Sequence, residues 1–297
     1  MSTLSQKKEK RVQIVFFVIA LASILILFMI SMFLFIEGIP ILNHVSITDF
    51  IFGKYWYPTS EPPDFGIFPL IIGSIATTFL SAMISIPLGV MTAIYLAEIA
   101  SAGFREIVKP VVELLAALPS VVIGFFGMVI LAPFLQEYFD LTTGLNLFNA
   151  SLMLGFMSIP TICSISEDAI YSVPDSLKEG SLALGATHFE TILRVILPAS
   201  ISGICTAVIL GMSRAIGETM VVLMVAGGAA MIPSSIFDPV RPLPASIAAE
   251  MAEAPFRGEH YAALFATGIV LFLFTFAFNI IADYISNKYR QVGDSTL

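Results

Sequence analysis

The sequence predicts an all-α polytopic membrane protein with six transmembrane helices, and three observations carry that reading. Hydrophobic residues make up 57% of the 297-residue chain, and mean hydropathy is +0.93. Charged residues are only 12%, against about 25% in a soluble domain. Six apolar stretches meet or approach the roughly 20 residues that cross a bilayer as a helix, and none alternates with the period of a β-barrel strand. The same figures exclude disorder, a basic nucleic-acid binder and an ordinary cytosolic enzyme. A formal charge of −8 further disfavours nucleic acid as a partner. The two cysteines, Cys163 and Cys205, lie in apolar stretches and support no disulfide framework.

The first stretch, Val12 to Ile36, is free of charge and follows Lys7, Lys8, Lys10 and Arg11. It is longer than the roughly 7–15 apolar residues of a cleavable signal, and no A-x-A site follows, so it reads as a retained anchor. The second, Ile67 to Ala97, contains Pro69 and Pro87. The third, Leu114 to Leu135, contains Pro119 and Pro133. The fourth, Phe148 to Ser166, is shorter and carries Pro160. The fifth, Ala199 to Ala230, is long and holds two charges. The sixth is Tyr261 to Ala282. Residues 1–66 thus read as an anchor helix with a first outer segment. A five-helix core permease domain follows over 67–285, then a short tail, 286–297. Interior prolines remove helix bonds, so Pro87, Pro119 and Pro160 are expected to kink their spans.

Six spans put both termini on one side. If that side is cytoplasmic, the tails and inner loops hold Lys7, Lys8, Lys10, Arg11, Arg105, Lys109, Lys178, Arg194, Lys288 and Arg290, and the outer loops only Lys54, Arg241 and Arg257. This positive-inside bias sets the expected orientation in a prokaryotic cell membrane, with both termini cytoplasmic. Of the outer segments, the aromatics Tyr55, Trp56 and Tyr57 suit the membrane interface.

The loop 173–198, between the fourth and fifth spans, is the most informative polar segment. Ser176 with Glu179 and Thr187 with Glu190 match capping boxes. Gly185 lies between them, where a helix end favours a left-handed residue. Two short helices joined at a glycine are predicted at the cytoplasmic membrane face.

The fifth span carries Arg214 as the sixteenth residue of its 32-residue run, and therefore near mid-depth. An arginine there costs about 2.5–3.5 kcal/mol on insertion scales, which usually marks a function. Glu218 follows at i+4, so the two side chains are expected to meet on a continuous helix. Gly203, Ala207 and Gly211 fall within about 80° of both around that helix. Such a face suits close helix approach or a substrate path rather than lipid. An ion pair that fixes packing and a charge lining a pathway both fit; an anionic substrate suits the guanidinium.

These residues carry a family resemblance. Glu179, Gly185, Val195, Leu197 and Pro198 follow the spacing of the EAA signature of ABC importer permeases: Glu-Ala-Ala, a glycine after three further residues, and a terminal Ile-x-Leu-Pro. Gly180-Ser181 stands in place of Ala-Ala, and Val195 in place of Ile. Further segments run in order along the chain: Trp56-Tyr57-Pro58, Phe65 to Gly73, Pro87-Leu88-Gly89, Ala93 to Glu98, Lys109-Pro110 with Glu113 to Ala116, Pro119 to Gly127, Arg214 to Thr219, and Ser235 to Arg241. Together they resemble the PstC-type permeases of phosphate-specific ABC importers.

That resemblance implies a type I ABC importer permease (MetI-like) fold and a role as the transmembrane subunit of an ATP-driven importer of inorganic phosphate. It implies a PstA-type companion permease, a homodimeric PstB-type ATPase and a PstS-type phosphate-binding protein. Arg214 and Glu218 map to the substrate pathway. Glu179, Gly185, Phe189, Leu197 and Pro198 map to the loop that docks on the ATPase, with Phe189 either an anchor or packed at the membrane interface. No cofactor is expected in this chain, and ATP and magnesium belong to the ATPase. The sequence has no G-x4-G-K-[ST] P-loop. Neither HExxH nor GxSxG occurs to suggest an intramembrane enzyme. Permeation of another oxyanion, molybdate or sulfate, stands as an alternative, as does a secondary transporter.

Overall fold

A computed structural model describes residues 3–289. Residues 290–297, most of the predicted tail 286–297 and including Arg290, lie outside the described residues. So do the side chains of Lys7, Lys8, Lys10, Arg11 and Lys288.

The chain opens with α1 (Thr3–Gly38), whose apolar residues from Val12 to Phe33 point in every direction and stay exposed. A helix apolar all round has no face for water and belongs in lipid. After a 3₁₀ turn at Ile39–Asn43 come α2 (Ile47–Phe52) and a two-residue hairpin, β1 (Trp56–Tyr57) with β2 (Asp64–Phe65), antiparallel with Trp56 opposite Phe65. Then α3 (Phe68–Ile94) ends in a π-helical turn, Tyr95–Ile99. It is followed by α4 (Ala102–Ala116), α5 (Ser120–Phe126), a second π-helical turn at Gly127–Leu131 and α6 (Ala132–Phe139). After them come α7 (Leu147–Tyr171), α8 (Asp175–Ala183), α9 (His188–Thr191), a third π-helical turn at Ile192–Ile196 and α10 (Leu197–Ile216). The last elements are α11 (Met220–Val225), α12 (Leu243–Glu250) and α13 (Glu259–Tyr289). Six helical segments among these are long and apolar enough to cross a membrane.

Packing places α1, α13, α10, α7 and α3 in a row, with α5 and α11 against α7. Small residues make that row tight. A side chain at Gly203 would come within 2.3 Å of Ala169, and one at Gly211 within 2.6 Å of Ile162. The face predicted from Gly203, Ala207 and Gly211 is therefore a contact surface against α7, as membrane helices use small residues for close approach. On α3, the Thr77 hydroxyl donates to the Gly73 carbonyl at 2.7 Å and the Thr78 hydroxyl to the Ser74 carbonyl at 2.8 Å. Their polar atoms are thereby satisfied inside an apolar bundle.

Two span boundaries stand out against expectation. The third span starts at Ser120 rather than Leu114, because α4 stops at Ala116 and Pro119 caps the next helix. Pro119 therefore marks a junction, whereas Pro87 and Pro160 do lie inside α3 and α7. The fifth helix ends at Ile216, well short of Ala230. A correction also applies to the outer aromatics. Tyr55 and Tyr57 are exposed, but Trp56 is 2% exposed and packs in a core with Ile41, Phe50, Phe65, Ile67 and Leu264.

Candidate functional site

The break after Ile216 is the central feature. α10 ends at Gly217, Glu218 and Thr219 follow outside any helix, and α11 resumes at Met220. Arg214 sits in the last turn of α10, where the carbonyl end of a helix favours a cation. Its Nη1 donates to Thr161 Oγ1 at 3.4 Å. Thr161 is the fifteenth of the 25 residues of α7, so Arg214 is level with the middle of a membrane-crossing helix. That contact agrees with the mid-depth expectation, although the helix that carries the arginine stops two residues later. One residue back, Ser213 Oγ donates to Asn279 Oδ1 on α13 at 2.8 Å.

The expected pairing of Arg214 with Glu218 does not form. An i,i+4 contact needs a continuous helix, and Gly217 interrupts it. Glu218 Oε1 instead accepts from the Val221 backbone N–H at 3.5 Å, turned toward α11. Arg214 is exposed and Glu218 half-buried on the surface of this single chain.

The loop 173–198 folds as two helices joined at a glycine. Gly185 has φ +89°. Its N–H donates to the Leu182 carbonyl at 2.9 Å, and the Ala186 N–H to the Ser181 carbonyl at 3.3 Å. That is the double closure of a Schellman end, which uses a left-handed residue. The Thr187 and Glu190 capping box is present in both directions. The box expected from Ser176 and Glu179 is absent: the N-cap is Pro174, two residues before Ser176, so α8 starts at Asp175 and Ser176 lies inside the helix. Glu179, Gly185 and Phe189 are exposed, Leu197 is half-buried, and Pro198 sits exposed in the first turn of α10. Leu184 is 91% exposed and Phe189 68%.

Sequence reasoning missed two charge clusters. At the loop end of the bundle, Lys178 Nζ pairs with Glu98 Oε1 at 2.8 Å, and Lys109 Nζ with Glu167 at 3.3 Å and Asp168 at 3.0 Å. Arg105 Nε donates to the Leu96 carbonyl at 2.7 Å and Nη2 to that of Ala97. Burial acts to lower the Lys109 ammonium, but the Asp168 bond and the two carboxylate charges outweigh it and hold the pKa above its ordinary value. At the opposite end, the Glu250 carboxylate accepts from Trp56 Nε1 at 3.0 and 3.1 Å and pairs with Arg241 and, at 2.8 Å, His260 Nε2. This cluster borders a cavity of about 600 Å³. Partners as far apart in sequence as Trp56 and Glu250 leave no local spacing to read. The spacing of Arg105 and Lys109 at i,i+4 was the one legible signal.

The sequence profile described as "Binding-protein-dependent transport system inner membrane component" matches residues 85–291. The chain belongs to this family. It is also 40% identical to the "Probable ABC transporter permease protein YqgH" of Bacillus subtilis, over 88% of this chain and 85% of the relative. It is 36% identical to the "Phosphate transport system permease protein PstC" of Mesorhizobium japonicum, over 80% and 77%. The resemblance to PstC-type permeases read from the motifs is thus borne out over most of the chain. In fold, it superposes on a chain of a bacterial alginate ABC transporter with a TM-score of 0.66 at 15% identity, covering 98% of this chain and 99% of that one. Against the MetNI methionine ABC transporter the TM-score is 0.57 at 20% identity, covering 76% and 95%. The MetI-like permease fold is therefore established, and the protein is a multi-pass inner-membrane transport subunit rather than an enzyme. As a permease of this family it acts with other ABC transporter components and a binding protein.

Proposed function

We propose that this chain is the transmembrane subunit of an ATP-driven importer of inorganic phosphate, with Arg214 and Glu218 on the substrate pathway. One observation carries this reading: Arg214 is exposed at mid-bilayer depth on the surface of the single chain. A guanidinium at that depth does not face hydrocarbon; it faces a second protein chain or a polar path. The unwound residues 217–219 beside it point the same way, since irregular backbone at membrane depth occurs where it is buried in protein or lines a cavity. The likeness to PstC permeases makes phosphate the matching anion, which a guanidinium grips through two parallel bonds. Glu218, close in sequence but not paired, moderates that grip so that the anion passes on.

In this reading a PstA-type permease covers the Arg214 face. The loop 173–198 lies in the cytoplasm, as do both termini, and docks on a homodimeric PstB-type ATPase through the exposed Leu184 and Phe189. Glu179, Gly185, Leu197 and Pro198 shape the loop. ATP and magnesium are held by that ATPase, and a PstS-type protein delivers phosphate at the opposite face. The test is uptake of labelled phosphate by the assembled complex in proteoliposomes. Arg214→Gln and Glu218→Gln should each impair it. Wild-type transport in both variants would remove them from the pathway. Competition by sulfate or molybdate would point to another oxyanion, and uptake without the ATPase to a secondary transporter.

A further inference from the structure

α8 carries no buried residue, so its own packing does not hold it in place. Among the described residues, two side-chain hydrogen bonds reach from it to other elements. Ser181 Oγ meets Thr191 Oγ1 at 2.9 Å, which only ties α8 to the neighbouring α9. Lys178 Nζ meets Glu98 Oε1 at 2.8 Å, which ties it to the π-helical end of the second span, 80 residues away. The Glu98 side chain is 7% exposed and that of Lys178 20%. A carboxylate so nearly removed from water depends on its cation.

The Glu98 turn is itself gripped from behind. Arg105 takes the carbonyls of Leu96 and Ala97, and its Nε lies 3.9 Å from Glu167 on α7. Six residues along α7 from Glu167 is Thr161, the partner of Arg214, a rise of about 9 Å. Contacts thus lead from α8 through the π-helical end of the second span and Arg105 to α7, the helix whose Thr161 meets Arg214.

We propose that Lys178 and Glu98 are a positioning pair: they clamp α8 to the second span, so that movement of the loop 173–198 is delivered to the bundle. This rests on the ATP-driven reading above. The pair touches no substrate. Its loss should uncouple hydrolysis from transport rather than stop hydrolysis.

The test uses the full complex in proteoliposomes, with ATP hydrolysis and phosphate uptake measured together, with and without the binding protein. Lys178→Met and Glu98→Gln are each expected to keep basal hydrolysis within twofold of wild type. Phosphate imported per ATP should fall at least tenfold, along with stimulation by the binding protein. The exchanged pair, Lys178→Glu with Glu98→Lys, should recover most of the coupling. Wild-type coupling in the single variants would overturn the proposal. So would single variants that fail to assemble and are not rescued by the exchange. Failure of the wild-type complex to import phosphate would instead overturn the functional reading.

Discussion

Thr161 and Arg214 meet at 3.4 Å between the middle of α7 and the last turn of α10. The contact sets the depth of the arginine independently of where its own helix ends. It also leaves most of the guanidinium free, since among the described residues no carboxylate pairs with it.

Arg214→Gln should lower phosphate uptake by roughly 10- to 100-fold, the loss expected from a charge-assisted bond to an anion. Arg214→Lys should recover only part, because an ammonium lacks the planar fork. Thr161→Ala should have a smaller effect, about two- to fivefold on the same scale. Uptake rates at saturating and limiting phosphate check all three.

Glu250 holds together the first outer segment, the last outer loop and the start of α13. Glu250→Gln leaves Arg241 without its carboxylate and should destabilise that end by about 1–3 kcal/mol, and Trp56→Phe by somewhat less. Thermal unfolding in detergent, followed by Trp56 fluorescence for Glu250→Gln and by circular dichroism for both, measures the order.

Glycines should separate by surroundings. Gly211→Val forces a side chain into Ile162, which stands 2.6 Å from the position of a Cβ, and overpacking of this kind costs about 1–3 kcal/mol. Gly180→Ala meets nothing within 4 Å inside α8 and should stabilise that helix by up to about 1 kcal/mol. Gly185→Ala strains a residue at φ +89° and should cost about 1 kcal/mol. Melting temperatures of the purified variants test the three signs.

The Asp238 loop should respond to acid. Its carboxylate accepts from the Ser234 hydroxyl at 2.8 Å and from the Ser235 and Ser234 N–H groups at 2.9 and 2.7 Å. The Ser234 hydroxyl contributes most, and together they hold the Asp238 pKa below its ordinary value. A depressed carboxylate pKa adds stability that is complete above the unfolded value, about 3.9, and is lost as pH falls through the folded value. Protection of the Ser234 and Ser235 N–H groups from hydrogen exchange, taken relative to the intrinsic rate at each pH, should therefore be constant near neutral pH and fall below about pH 4. Asp238→Asn should remove that dependence.

Local chemistry made much of this legible from residues alone. The run from Val12 to Ile36 has no other physical home than a bilayer. Thr187 with Glu190, and Gly185 before them, specify a helix end and a helix start within a few residues. Those signals act over one turn, and the structure carries them out. Ser176 with Glu179 shows the limit, because Pro174 takes the N-cap two residues earlier and displaces the box.

The sequence by itself determined that this is a multispanning helical protein, where its polar loop lies and which arginine interrupts an apolar run. Periodicity, apolar length and capping are properties of neighbours in the chain. Only the tertiary structure showed that Arg214 and Glu218 part company, because α10 ends at Ile216 with Gly217 as its cap and the chain turns into α11, which packs against α5 and α7. It alone paired Lys178 with Glu98 and Trp56 with Glu250. Such contacts join residues 80 and 194 positions apart, and no local pattern reports which distant charge a buried carboxylate will find.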